Sequence, residues 1–61
     1  MKKQMIKDRA EFVRQVGEEI NNAGVIEWAN EVMVMCNNRK MSAEAIVRTE
    51  AFKVVTRIFC R

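Results

Sequence analysis

The stretch Met5-Ile6-Lys7-Asp8-Arg9-Ala10-Glu11-Phe12-Val13-Arg14-Gln15-Val16-Gly17-Glu18-Glu19-Ile20 sets the terms of the fold. On a helix advancing about 100° per residue, Met5, Phe12, Val16 and Ile20 fall in one stripe, with Ile6, Ala10, Val13 and Gly17 on its shoulder. Lys7, Glu11, Arg14 and Glu18 take the opposite side. Lys7–Glu11 and Arg14–Glu18 sit four apart, close enough to pair, each worth about 0.2–0.5 kcal/mol. Asn21-Asn22-Ala23-Gly24 then reads as a stop, with Gly24 suited to the left-handed position after a helix end. The first helix is therefore expected over residues 3–22.

A second helix over 25–37 follows almost at once, and so short a turn favours antiparallel packing. Val25, Ile26, Trp28, Ala29, Val32, Met33, Met35 and Cys36 cover half its surface, while Glu27, Asn30 and Glu31 mark the polar side and Val34 points outward among them. This helix is expected to be the most buried of the set. After Asn37-Asn38-Arg39-Lys40-Met41, Ser42 is a good N-cap. Met41 and Ile46 have the spacing of a hydrophobic staple. The third helix, 43–59, places Val47, Ala51, Phe52, Val54, Val55, Ile58 and Phe59 on one face and Glu50, Lys53, Arg57 and Arg61 on the other. The pattern predicts an all-α chain, a small three-helix domain spanning residues 1–61.

Each apolar face covers roughly 160–180° of its helix, more than a lone unit of this size can hide. A domain of 61 residues buries only about 60% of the surface its unfolded chain exposes and usually needs a staple. Two cysteines far apart in sequence, Cys36 and Cys60, make no disulfide framework and read as reduced thiols in a cytoplasmic protein. With no histidine and no paired-cysteine spacing, neither a metal nor a cofactor is expected. Association is left as the staple: a helical homodimer or larger oligomer. Lys7, Asp8, Arg9 and Glu11 interrupt the signal-like start, so export is not expected. No stretch approaches the ~18 apolar residues of a membrane span.

The net charge of +3 is unevenly spread. Residues 1–7 hold lysines without an acid, residues 8–36 are acidic, and residues 39–61 are basic. Complementary packing of helices or subunits is the simplest account, and phosphate contact through Arg39, Lys40, Lys53, Arg57 and Arg61 is the alternative. Specific base reading fits poorly, because a recognition helix opening Ala43-Glu44-Ala45-Ile46-Val47 has almost nothing to offer a base edge. Attachment to a membrane surface is weaker still, since Glu44 and Glu50 dilute the basic side.

Catalysis is disfavoured by the residue inventory. Histidine and tyrosine are both missing, Ser42 is better used as a cap, and Glu18-Glu19 diverge by about 100° on a helix. Arg9 and Arg48 stand out instead, because each falls on an apolar side and needs an acid, a backbone carbonyl or an edge location where its tip reaches water; the simplest partners are Glu27 or Glu31 of the second helix, or a second subunit. The expected interaction residues are Arg9, Phe12, Trp28, Met33, Met35, Arg48, Phe52 and Phe59. They suit a small non-enzymatic regulator or inhibitor that binds another protein, of the kind found as bacterial or phage accessory proteins. A small basic protein contacting nucleic acid through its third helix is the alternative.

Overall fold

A computed structural model describes residues 2–60 and shows four helices: α1 (Lys3–Glu19), α2 (Ala23–Asn37), α3 (Ala43–Val47) and α4 (Glu50–Phe59). Among the described residues there is no strand. The all-α expectation holds, with one helix more than the pattern predicted.

The turn between α1 and α2 comes earlier in the chain than expected, at residues 20–22, and asparagine makes it. Asn21 takes the left-handed conformation at φ 56°, while Gly24 lies inside α2 without a positive φ. Asn22 donates its N–H to the Gly17 carbonyl at 2.9 Å and Asn21 donates to Glu18 at 3.3 Å, the paired bonds of a Schellman end. The Asn22 side chain then accepts from the Val25 N–H at 3.3 Å and caps α2. One residue thus closes one helix and opens the next. The resulting hairpin is antiparallel: Gly17 lies against Val25 and Ile26, and at the other end the Lys3 ammonium donates to the Asn38 carbonyl at 2.9 Å.

The core is built from the shoulder of α1, not from its bulkiest stripe. Ile6, Ala10, Val13 and Gly17 are buried, whereas Met5 and Phe12 are each 51% exposed and Ile20 is 57% exposed. The reason is steric. Close approach of α2 requires small side chains at the crossing, which Ala10 and Gly17 supply and Phe12 cannot. Ala29 and Val32 of α2, Ile46 of α3, and Ala51, Phe52 and Val55 of α4 complete the core. Helix α2 touches α1, α3 and α4, yet α1 contributes more fully buried residues. Val34 faces solvent as expected.

The long helix expected over 43–59 is broken at Arg48 and Thr49. Thr49 adopts an extended backbone, donates its hydroxyl to the Ile46 carbonyl at 2.6 Å, and accepts from the Phe52 N–H at 3.2 Å. It ends α3 and caps α4 through a side chain that competes with the helical backbone. Ser42 caps α3 as expected, accepting from the Ala45 N–H at 3.1 Å.

Candidate interaction surface

Because α2 docks on the Ala10–Gly17 side of α1, the bulky edge of α1 is left beside the end of α4. Phe12 and Val16 of α1, its C-cap Ile20, Val25 of α2, and Ile58 and Phe59 of α4 line an open groove of about 480 Å³, with Asn22 as its polar member. The Phe12 and Phe59 rings meet edge to face, centroids 5.4 Å apart and planes at 77°. The Arg9 guanidinium carbon lies 5.0 Å from the Phe59 ring centroid. Such a contact satisfies the charge partly through the ring's negative face and sets Arg9 beside a groove-lining residue. None of the groove-lining residues is titratable. What the groove can do is accept apolar side chains, with a cation at its edge.

The expected site residues separate into three groups. Arg9, Phe12 and Phe59 come together at this groove. Trp28, Met33 and Met35 are half-buried and pack against the core, and Phe52 is a core residue at 8% exposure. Arg48 is the C-cap of α3 and is exposed, because the break at Thr49 turns it away from the apolar face predicted for a continuous helix. Neither arginine reaches Glu27 or Glu31: among the described residues the ion pair is Arg14–Glu18 at 2.8 Å, and the expected Lys7–Glu11 pair is not formed. The groove's other walls, Val16, Ile20, Val25 and Ile58, were legible only as helix-face positions. Their convergence depends on the crossing of α1 and α4.

The basic candidates lie on two separate elements. Arg39 and Lys40 are exposed on the turn after α2, Lys53 and Arg57 are exposed on α4, and Arg61 lies outside the described residues. The Lys3–Asn38 hydrogen bond adds the basic start of α1 to the first of these groups. No described helix is long and apolar enough to cross a membrane. Among the described residues, no cluster of three histidine, cysteine or acidic side chains could hold a metal ion.

Cys36 is half-buried against the core, less deeply placed than a mid-face position suggested, and Cys60 is exposed. Burial pushes the Cys36 thiol up from its ordinary value, against smaller opposing effects of the Lys3 and Lys7 ammonium groups. At any given pH its thiolate fraction is therefore smaller than that of a free thiol. Cys60 should label quickly with a thiol reagent and Cys36 slowly. The Cys36 rate should still climb at pH values where that of free cysteine has levelled. Equal rates at the two sites would mean that α1 does not cover the end of α2.

No protein-family model, curated protein or solved structure matches this chain.

Proposed function

We propose that this chain is a small non-enzymatic interaction protein, a regulator or inhibitor of cytoplasmic type, that works by protein–protein binding at the α1–α4 groove and self-associates as a homodimer or larger oligomer. One observation carries the reading. Three bulky apolar side chains, Met5 and Phe12 of α1 and Ile20 at its C-cap, stand more than half exposed, and the last two line an apolar groove. Scattered surface hydrophobes are ordinary, but exposed bulky side chains gathered at an apolar groove on a domain this small support a surface that a partner covers. The aromatic pair and the arginine at the rim are the residue types that dominate binding energy in protein interfaces.

The alternative, a small basic protein that contacts nucleic acid, draws support from the exposed Arg39, Lys40, Lys53 and Arg57 and from the lysines that the α1–α2 hairpin brings alongside. Affinity capture from the native host across a salt series separates the two. A protein partner should survive moderate salt, whereas a polyanion should be lost steeply. Changing Lys53, Arg57 and Arg61 to glutamine should leave folding and capture nearly unaltered. Phe12→Ala should reduce capture at least about tenfold, as expected for a central aromatic anchor. Its effect on stability should stay within about 1–2 kcal/mol, since the ring is half exposed and loses one edge-to-face contact. Phe52 is unsuitable for this test because its removal would hollow the core. Loss of capture and of salt dependence together in the folded triple variant would overturn the protein-binding reading.

A further inference from the structure

The exposed edge of α1 carries a pattern that specifies its own occupant. Met5, Arg9, Phe12, Val16 and Glu19 follow one another in alternating steps of four and three residues. That is the spacing of the a and d positions in a seven-residue repeat, the seam along which two helices pack knobs into holes. Two members of the seam are charged, one near each end, and of opposite sign. Arg9 is half-buried on the Phe59 ring and has no acidic partner among the described residues. Glu19 is exposed and likewise unpaired, since Arg14 bonds to Glu18 instead.

We infer that the partner on this edge is α1 of a second copy of the chain, packed antiparallel so that Arg9 of each copy meets Glu19 of the other. This rests on reading the groove as a protein-binding surface and names what binds there. A parallel pair would stack Arg9 on Arg9 and Glu19 on Glu19, and juxtaposed like charges are strongly unfavourable at an interface. The antiparallel arrangement pairs a with d positions over the four residues Arg9, Phe12, Val16 and Glu19, and Met5 lies beyond the end of the partner helix. Arg9 faces Glu19 twice, Phe12 faces Val16 twice, and the two-fold axis passes midway between Phe12 and Val16. Phe12 of the second copy is then carried over Val16 into the groove. The interface is isologous, so it closes at two copies and leaves no free edge to propagate. Two helices meeting over about three turns bury on the order of 1,000 Å², the lower limit for a specific complex. The dimer should therefore be one that charge reversal can break.

The test is light scattering after size exclusion at micromolar chain concentration. The wild-type chain should run at twice its 7.1 kDa mass. Arg9→Glu and Glu19→Arg should each weaken the dimer at least about tenfold, because each places two like-charged pairs at the seam. Mixed in equal amounts, the two variants should form a heterodimer, since positions 9 and 19 of each chain then face the opposite charge. A monomeric wild-type chain overturns self-association, while capture of another protein through Phe12 is read separately. A wild-type dimer that persists unchanged in both variants overturns the antiparallel seam and leaves self-association standing. Glu19→Arg touches no core residue, so it decides the matter even if loss of the Phe59 contact unfolds Arg9→Glu. Tight dimerisation of that single variant overturns the inference.

Discussion

Valine at position 17 is expected to unfold the protein. Gly17 is buried where α1 crosses α2, and a Cβ placed there would lie 2.9 Å from a side-chain carbon of both Val25 and Ile26 and 3.2 Å from the Ile26 backbone nitrogen. Those neighbours are branched side chains close to their own backbone, so they cannot swing aside. The helices must separate, and overpacking of this kind costs about 1–3 kcal/mol for a single added group. Alanine would recover about 1 kcal/mol of that through its better helix propensity, so Gly17→Ala should fold with a lowered melting temperature. Valine adds two more methyl groups without that compensation, in a domain whose whole stability is on the order of 3–9 kcal/mol. Far-ultraviolet circular dichroism should show a cooperative melt for alanine and none for valine. Gly24 is the control: a Cβ there would meet only the Asn22 side-chain oxygen at 3.4 Å, and its φ is not positive. Gly24→Ala should therefore be neutral or stabilising. If Gly17→Ala raises the melting temperature as much as Gly24→Ala does, the close crossing of α1 and α2 is wrong.

The same crossing explains which parts of the fold periodicity could disclose. A helical wheel gives direction around one axis, so it located the apolar half of α1 and the outward Val34 correctly. It weighted Met5, Phe12, Val16 and Ile20 over their neighbours because they are larger. Packing inverted that order, since Ala10 and Gly17 allow the nearer approach and drag Ile6 and Val13 into the core with them. The α3–α4 break was hidden for a different reason. Threonine is unremarkable within a helix by composition, and only its hydroxyl's bonds to Ile46 and Phe52 turn it into a cap. Once the chain bends there, Arg48 leaves the apolar side. At the turn between α1 and α2, both asparagine and glycine tolerate the left-handed conformation, and the sequence alone favoured Gly24 over Asn21.

The candidate surface was legible as residue types but not as an arrangement. Arg9 was conspicuous because an arginine on an apolar face needs a partner, and the nearest acids by sequence logic were on α2. Its partner is the Phe59 ring, delivered by α4 from the far end of the chain. That pairing depends on where the chain bends at Thr49, so no local rule reaches it. Phe52 and Phe59 lie seven residues apart and share a helix face, yet one is core and the other rims the groove. The difference is that α4 outruns the core near its end.

Alanine at position 46 should be the most damaging truncation on the short element. Ile46 is the only fully buried residue of α3, with Ala43 and Val47 partly buried beside it, so this five-residue helix has one deep anchor in the core. Helices this short have no stability of their own in water. Removing three carbons from such a site costs about 2–5 kcal/mol, the lost transfer energy plus the cavity left behind. A second effect reinforces the first. The Ile46 carbonyl accepts the Thr49 hydroxyl that sets the start of α4, so loosening α3 also loosens the bend that carries Phe59 to Phe12. Denaturant unfolding should show Ile46→Ala losing a large share of the domain's stability, while Val34→Ala on the exposed side of α2 stays within about 0.5 kcal/mol of wild type. If the two variants unfold alike, α3 is not docked on the core and the bend at Thr49 is not what places the end of α4. In a variant that remains folded, the arginine–phenylalanine contact at the groove should weaken before α1 and α2 separate. The hairpin is fixed by its own Schellman turn at one end and the Lys3–Asn38 bond at the other, and neither involves α3.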